Sequence, residues 1–106
     1  LVAHAKTDIF ELQDNQVADI AKALGHPARV KILRILNESS RCIVGDLVEV
    51  LPLSQSTVSQ HLKELKRVGL IKGEIEGPRV CYCLNEEMVA KTKAAFSGLF
   101  SEFKCC

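Results

Sequence analysis

The fold is decided by residues 52–70, which read PLSQSTVSQHLKELKRVGL. Val58, Leu62 and Leu65 recur at helical spacing, so that they can face a core together. The opposite side of the same helix is polar and carries Gln55, Ser56, Ser59, Gln60 and Lys63. Gly69 supplies a natural C-terminal stop. The stretch therefore predicts a helix with one buried and one exposed face.

The polar face of this predicted helix is rich in short hydrogen-bond donors and almost uncharged at its start. Glutamine and serine side chains can reach base edges and phosphate oxygens, and a helix N-terminus offers free backbone N–H groups to a phosphate. We therefore expect the helix to lie in the major groove of double-stranded DNA. The residues expected to contact that DNA are Gln55, Ser56, Thr57, Ser59, Gln60 and Lys63.

The composition predicts one globular domain spanning residues 1–106, with 47% hydrophobic residues but only 5% aromatic ones. A net charge of +1 neither requires nor excludes nucleic acid, so local clustering has to decide. Four basic residues cluster around the end of the predicted helix: Lys63, Lys66, Arg67 and Lys72. Such a cluster can follow phosphates along a DNA backbone, and the alternative is an ordinary solvated helix face.

Helices are also expected before the 52–70 stretch. Apolar spacing predicts a first helix over residues 11–23 and a second beginning at Pro27 and broken at residues 37–40. Residues 41–44 have the pattern of a short extended piece, after which Leu47, Val50 and Leu51 mark a helix of about two turns that is closed by Pro52. With the turn at Leu53 and Ser54, this short helix would form the first half of a helix-turn-helix.

Residues 70–76 and 79–84 are two strand-like runs around the turn signal Gly77-Pro78. They are expected to pair as a hairpin, and a hairpin after a helix-turn-helix is a wing. Lys72 and Arg79 would then contact the DNA backbone beside the groove. The predicted fold class is mainly α with a small β-hairpin wing, a winged helix-turn-helix with five helices.

The last predicted helix spans residues 86–104 and is capped by Asn85. Three of the four phenylalanines lie in it, more than a peripheral helix needs to cover one side of a small domain. We interpret it as the dimerisation helix of a homodimer, and the alternative is an ordinary core helix. Residues 1–10 are expected to be disordered.

Three phrases of the chain carry a family resemblance: LGHPARVKIL at 24–33, VGDL at 44–47 and SQSTVSQHL at 54–62. Together with Gly69-Leu70 and the order of elements, they resemble the ArsR/SmtB family of winged-helix repressors. The resemblance covers nearly the whole chain. It implies a homodimeric repressor that leaves its operator DNA when a metal or metalloid ion, or an oxidant, occupies cysteine or histidine sites.

Two familiar sensor sites of that family are absent from this sequence. The zinc-sensing members carry Asp and His ligands along the last helix, and residues 86–104 contain no histidine. The arsenite sensors carry a Cys-Val-Cys-Asp-Leu phrase where this chain reads IVGDL at 43–47. Cys42 lies one position outward from that phrase and is interpreted as a packing residue.

Two cysteine pairs remain as candidate ligands: Cys81 and Cys83 in the second wing strand, and Cys105 and Cys106 at the end. Residues two apart on a strand point to the same face, and thiolates suit soft ions. Trivalent arsenic, as arsenite or an organoarsenical, or antimonite, is the predicted inducer, with no organic cofactor. The last helix separates the pairs within one chain, so the site would form between antiparallel subunits. The alternative is that the cysteines are small hydrophobes and an adventitious tail.

Other functions remain open at this point. One alternative within the same fold is a redox- or persulfide-sensing repressor, and one of another class is a thiol metal carrier that dimerises without specific DNA binding. No nucleophile with a base and an orienting group can be assembled, so enzymatic activity is not expected. His26 is expected to cap the second helix and His61 to be half-buried and hydrogen-bonded. Neither a membrane span nor a signal peptide is recognisable, which predicts a cytoplasmic protein without membrane partners.

Overall fold

The computed structural model describes residues 10–38, 43–44, 51–76 and 79–106. The order of elements in these residues is α1 (Leu12–Leu24), α2 (Pro27–Glu38), β1 (Ile43–Val44), α3 (Gln55–Arg67), β2 (Ile71–Glu76), β3 (Arg79–Leu84) and α4 (Glu86–Ser101). The mainly helical fold with an antiparallel hairpin is confirmed. Five helices were expected, and the described residues hold four. The short helix expected at residues 47–51 and the turn at Gly77-Pro78 fall mostly or wholly outside them, as do residues 1–9.

Capping hydrogen bonds mark where the first two helices begin. At the start of α1 the backbone N–H of Glu11 donates to the carboxylate of Asp14 at 3.1 Å. Pro27 begins α2, and the Nδ1 of His26 accepts from the backbone N–H of Ala28 at 3.0 Å, which confirms the predicted cap. The expected break of this helix at residue 37 was placed too early, because Asn37 and the exposed residue after it still belong to its last turn.

Both ends of α3 are closed by its own sequence. Ser54 is the N-cap, and its Oγ accepts from the backbone N–H of Thr57 at 3.3 Å. At the other end Gly69 adopts φ +83°, and its N–H and that of Leu70 bond back to the carbonyls of Lys66 and Leu65 at 2.9 and 3.1 Å. This is a Schellman motif, which needs a residue that tolerates a positive φ. The helix boundaries therefore follow the predicted stretch.

The three strands form one antiparallel sheet in the order β1-β3-β2. β2 and β3 pair from Ile71 opposite Leu84 to Glu76 opposite Arg79, which confirms the predicted hairpin. β1 pairs with the outer side of β3, a strand pairing that the sequence analysis did not predict. Gly73 lies opposite Tyr82, where a Cβ would stand 2.6 Å from the tyrosine ring, so only glycine leaves room for that ring.

The core lies where α1, α2, α3 and β2 meet. Its buried apolar residues in the described part of the chain are Ile20, Ala23, Ile32, Leu36, Leu51, Val58, Leu62, Leu65, Val68, Leu70 and Ile71. Val58, Leu62 and Leu65 are thus buried as their spacing predicts. The terminal helix α4 contains no fully buried residue and packs against α1 at the side of this core.

The end of α4 differs from the expectation. The helix stops at Ser101 and not at residue 104, and Glu102 is its C-cap. The N–H groups of Glu102 and Phe103 bond to the carbonyls of Leu99 and Phe100 at 3.2 Å each, three residues back in both cases. The last turn therefore tightens and the α-helical pattern ends, as is common where no later residue continues it.

Candidate nucleic-acid interface and cysteine sites

The predicted reading face of α3 points away from the core. Gln55, Ser56, Ser59, Gln60 and Lys63 are all exposed, whereas Val58, His61, Leu62 and Leu65 on the other side are buried. The helix is held at both termini and through its apolar side. Its exposed donors therefore sit on a fixed backbone, which is what recognition of base edges requires.

Hydroxyl groups cluster at the N-terminus of α3. The Oγ of Ser54 lies 3.2 Å from the Oγ of Ser56 and 2.9 Å from the Oγ1 of Thr57. Thr57 is partly buried, whereas the other predicted DNA contacts on α3 are exposed. Ser56 stays exposed and keeps a hydroxyl available beside the unpaired backbone N–H groups of the first turn.

The basic cluster is smaller than the sequence suggests because Arg67 is occupied. Its Nη1 and Nη2 donate to the two carboxylate oxygens of Asp19 at 3.0 and 2.9 Å, and its Nη2 also donates to Glu64 at 2.7 Å. These hydrogen bonds lower the pKa of both carboxyl groups and raise the pKa of Arg67. Lys63 and Lys66 remain exposed on the same helix.

The two predicted wing contacts lie at different heights of the hairpin. Lys72 is exposed near the start of β2, opposite Cys83 on β3. Arg79 begins β3 opposite Glu76, next to the expected turn, and its side chain lies outside the described part of the structure. Lys72 therefore lies at the base of the hairpin and Arg79 at its tip.

His61 was expected to be half-buried, but it is buried, with only 7% of its surface exposed. Its Nδ1 accepts a hydrogen bond from the Nε of Arg29 at 3.1 Å, and its ring lies 4.5 Å from that of His26. Burial first, and then the charges of His26 and Arg29, lower the pKa of His61. The sequence analysis predicted a hydrogen-bonded histidine and missed Arg29, since no spacing signal connects residues 32 positions apart.

The cysteines of the wing are not equivalent. Both Cys81 and Cys83 are partly buried on β3, but Cys81 is disulfide-bonded whereas Cys83 is a free thiol. Cys42 lies outside the described residues. The predicted pair of neighbouring thiols is therefore present in this structure as one thiol, and Cys81 would need to be reduced before it could bind an ion.

The terminal cysteines Cys105 and Cys106 are exposed free thiols beyond the end of α4. The 16 residues of α4 span about 24 Å at 1.5 Å per residue, so they separate these thiols from Cys83 within one chain. In the part of the chain that the structure describes, no three His, Cys, Asp or Glu residues are grouped so that they could hold a metal ion. One subunit alone does not bring the cysteines together.

Apolar side chains are exposed along α1 and α4. Phe100 and Phe103 are 60% and 55% exposed and contact each other edge to face at 5.5 Å, and Leu12 is 83% exposed. Between the two helices runs a groove of mixed character, with Val17, Ala95 and Leu99 at its apolar part and Asp14, Lys91 and Glu102 among its charged lining residues. Exposed large hydrophobic residues beside such a groove are typical of a protein interface.

Known proteins that are similar in sequence to this chain belong to one family of regulators. The family model "Bacterial regulatory protein, arsR family" matches residues 26–72. The HTH-type transcriptional regulator YgaV of Escherichia coli is 32% identical over 96 residues, which cover 89% of this chain and 97% of the relative. The arsenical resistance operon repressor of Bacillus subtilis is 38% identical over 80% of this chain and 74% of its own length. The chain belongs to the ArsR family.

Solved structures agree with this assignment. The structure of reduced HlyU from Vibrio cholerae is 32% identical, with a TM-score of 0.62 over 76% of this chain and 85% of that one. ArsR-family proteins are DNA-binding transcriptional regulators and not enzymes. The family match runs from the residue before α2 into β2 and includes the whole of α3. No helix in the described residues of this ArsR-family chain is long and apolar enough to cross a lipid bilayer.

Proposed function

We propose that this ArsR-family repressor reads its operator through the exposed face of α3. The observation that supports this most directly is that five of the six predicted DNA-contacting residues of α3 are exposed, on a helix whose opposite side is buried in the core. The predicted contacts are Gln55, Ser56, Thr57, Ser59, Gln60 and Lys63 from α3, with Lys72 and Arg79 of the wing on the flanking backbone. Of these, Thr57 supports DNA binding mainly by its contacts with the cap residue Ser54 and less by a direct contact of its hydroxyl with DNA.

The repressor acts as a homodimer formed through α1 and α4. The exposed apolar residues beside the groove between these helices support a second copy as the occupant, because a two-fold dimer covers the same patch on both subunits. A dimer also places two copies of α3 on one side of the DNA, one helical turn apart. In the symmetric dimer, each copy of α3 would then bind one half-site of the operator.

Release from DNA occurs through the cysteines, with As(III) or Sb(III) as the inducer. The described residues include three free thiols that support this, Cys83, Cys105 and Cys106. Three thiols are what a trivalent metalloid hydroxide binds when each thiol displaces one hydroxyl group, which leaves as water. An antiparallel pair of α4 helices brings the terminal thiols of one subunit toward Cys83 of the other. A tenfold release requires a coupling of only about 1.4 kcal/mol.

The disulfide at Cys81 favours a second candidate, a redox-sensing repressor of the same fold. In that mechanism two thiols are oxidised to a disulfide while an oxidant such as hydrogen peroxide is reduced to water. Alternatively, one thiol receives the outer sulfur atom of a low-molecular-weight persulfide, which leaves as the thiol. The oxidised form then has the lower affinity for DNA. A metal carrier without specific DNA binding is the remaining alternative, and it predicts no sequence-dependent binding.

The test is fluorescence anisotropy of the dimer on DNA from upstream of its own gene, with arsenite and peroxide added separately. If the proposal holds, arsenite releases the wild type, while Cys83→Ser and the double variant Cys105→Ser, Cys106→Ser need at least about tenfold more arsenite. Cys81→Ser is the matched control, which keeps the arsenite response. Under the redox mechanism, the same variant loses release by peroxide. Unchanged arsenite release in both ligand variants would remove the metalloid site, and release by peroxide alone would favour the redox mechanism.

A further inference from the structure

Arg29 connects three helices at one point. It lies in the first turn of α2, and its Nη1 donates to the carbonyl oxygens of Lys22 and Ala23, at 3.3 Å each. These carbonyls belong to the last turn of α1, where helical partners run out. Its Nε donates to the Nδ1 of His61 in the middle of α3 at 3.1 Å. One guanidinium group thus holds the end of α1 and the helix proposed to read DNA.

This geometry fixes the protonation state of His61. Because the Nε–H of Arg29 donates to it, Nδ1 must carry a lone pair, so the single proton of a neutral ring lies on Nε2. A second proton would have to go to Nδ1. It would remove the hydrogen bond and place a buried imidazolium beside the partly buried guanidinium of Arg29.

Loss of the hydrogen bond at Nδ1 would not be compensated at the Nε2 atom of His61. This atom is buried and has no hydrogen-bond partner among the described residues. The neutral ring is therefore held by Arg29 alone on its polar edges, and loss of that bond leaves both nitrogens unsatisfied.

We propose that Arg29 positions α3 for DNA binding through neutral His61, and that protonation of His61 breaks this link and weakens operator binding at acidic pH. The inference rests on the proposed reading of DNA by α3. Arg29 and His61 are positioning residues, since neither lies on the exposed face of that helix. The property is additional to release by a ligand at the cysteines.

The charged groups around His61 favour the neutral ring. His26, which precedes α2, and Arg29 both lower the pKa of His61, after burial as the larger cause. Glu64, one turn further along α3, is the nearby carboxylate that could offset them, but it is engaged by Arg67 at 2.7 Å. The remaining neighbour from α1 is Lys22, another cation, which contributes to the lowered pKa of Glu64.

The direction of the pH dependence follows from the lowered pKa of His61. In the unfolded or displaced state His61 titrates near its ordinary pKa of 6.5, whereas in the native contact it titrates below that value. The native contact is therefore stable above about pH 6.5 and loses stability as the pH falls toward the lowered pKa. Binding that depends on the contact weakens over the same range.

The experiment is a pH series of operator affinity by fluorescence anisotropy with the full-length reduced dimer. Between about pH 7.5 and about pH 5.5 the wild type should lose at least about fivefold in affinity. His61→Asn keeps an acceptor near the position of Nδ1 but cannot titrate, so its affinity should change by less than about twofold. His26→Asn is the matched control: it keeps the cap on Ala28, removes a titratable ring and should retain the acid response.

A second measurement begins with the wild-type protein, so its first result does not depend on any variant folding. Proton NMR of the wild-type imidazoles should show one of the three titrating clearly below the ordinary range, and Arg29→Lys should move that pKa toward the ordinary value because it removes the Nε donor. An acid response that persists undiminished in His61→Asn, or a His61 that titrates at its ordinary pKa, overturns the proposal. Absence of sequence-specific binding at every pH would instead contradict the proposed function itself.

Discussion

Arg67 on α3 forms a bidentate ion pair with Asp19 on α1, with both guanidinium–carboxylate distances close to 3 Å. The same guanidinium also binds Glu64 one turn earlier on α3. α1 lines the groove with α4, where the second subunit is proposed to dock. The pair therefore joins the proposed dimer interface to the helix proposed to read DNA.

Asp19→Asn should lower the stability of the fold at neutral pH. The folded-state pKa of Asp19 is lowered, so its contribution is fully present above its ordinary pKa of 3.8 and is lost as the pH falls from there through the lowered pKa. Urea unfolding should show a deficit at pH 7 that shrinks as the pH falls below 3.8 and also shrinks in high salt. Glu87→Gln is the control, because it removes only an exposed pair with Lys91 at 3.3 Å. An equal deficit for both variants would contradict a special role for the bidentate pair.

Gly69→Ala should destabilise the protein by about 1 kcal/mol or more. The position requires φ +83°, and an added Cβ would also stand 3.3 Å from the Cε of Met88. Gly69→Asn should lose less, since asparagine tolerates this conformation better. Denaturant unfolding of the three proteins gives the comparison. Equal stability of wild type and alanine variant would mean that the Schellman motif is dispensable.

Lys63→Ala and Arg67→Ala should differ in their effect on DNA binding. Lys63 is exposed on the reading face, whereas Arg67 is neutralised by two carboxylates. The slope of log affinity against log salt should fall by about one per subunit for Lys63→Ala and stay nearly unchanged for Arg67→Ala. A larger slope change for Arg67→Ala would show that Arg67 leaves its carboxylate partners to bind phosphate.

Phe100→Asp should convert the dimer to a monomer. The phenylalanine is 60% exposed on α4, beside the groove proposed to receive a second copy, and a charge there would be buried without a partner. Sedimentation velocity measures the change. Val30→Asp, at a residue 37% exposed on α2, is the control and should leave the dimer intact. Loss of the dimer in the control, or its persistence in Phe100→Asp, would place the interface elsewhere.

Local signals were sufficient for the helices and the hairpin. The spacing of Val58, Leu62 and Leu65, the cap residue Asn85 and the stop at Gly69 all act within a few residues of chain, and each is confirmed. The same holds for the exposed polar side of α3, which follows from the 3.6-residue period alone.

The contacts that connect elements could not be predicted in this way. Arg67 and Asp19 are 48 positions apart, and Arg29 and His61 are 32 apart, so no local pattern relates them. Arg67 therefore counted as a free cation in the sequence although its charge is already paired. The disulfide at Cys81 and the pairing of β1 with β3 likewise depend on which segments the fold brings together.

The central claim is that the exposed face of α3 reads DNA sequence, and the double variant Gln55→Ala, Gln60→Ala tests it most directly. Both side chains are exposed, so their removal leaves the core intact. Anisotropy should show operator affinity falling at least about tenfold while affinity for unrelated DNA of equal length changes by less than about twofold, since glutamine contacts to bases carry specificity and phosphate contacts do not. Unchanged operator affinity in a folded dimeric variant would contradict the account.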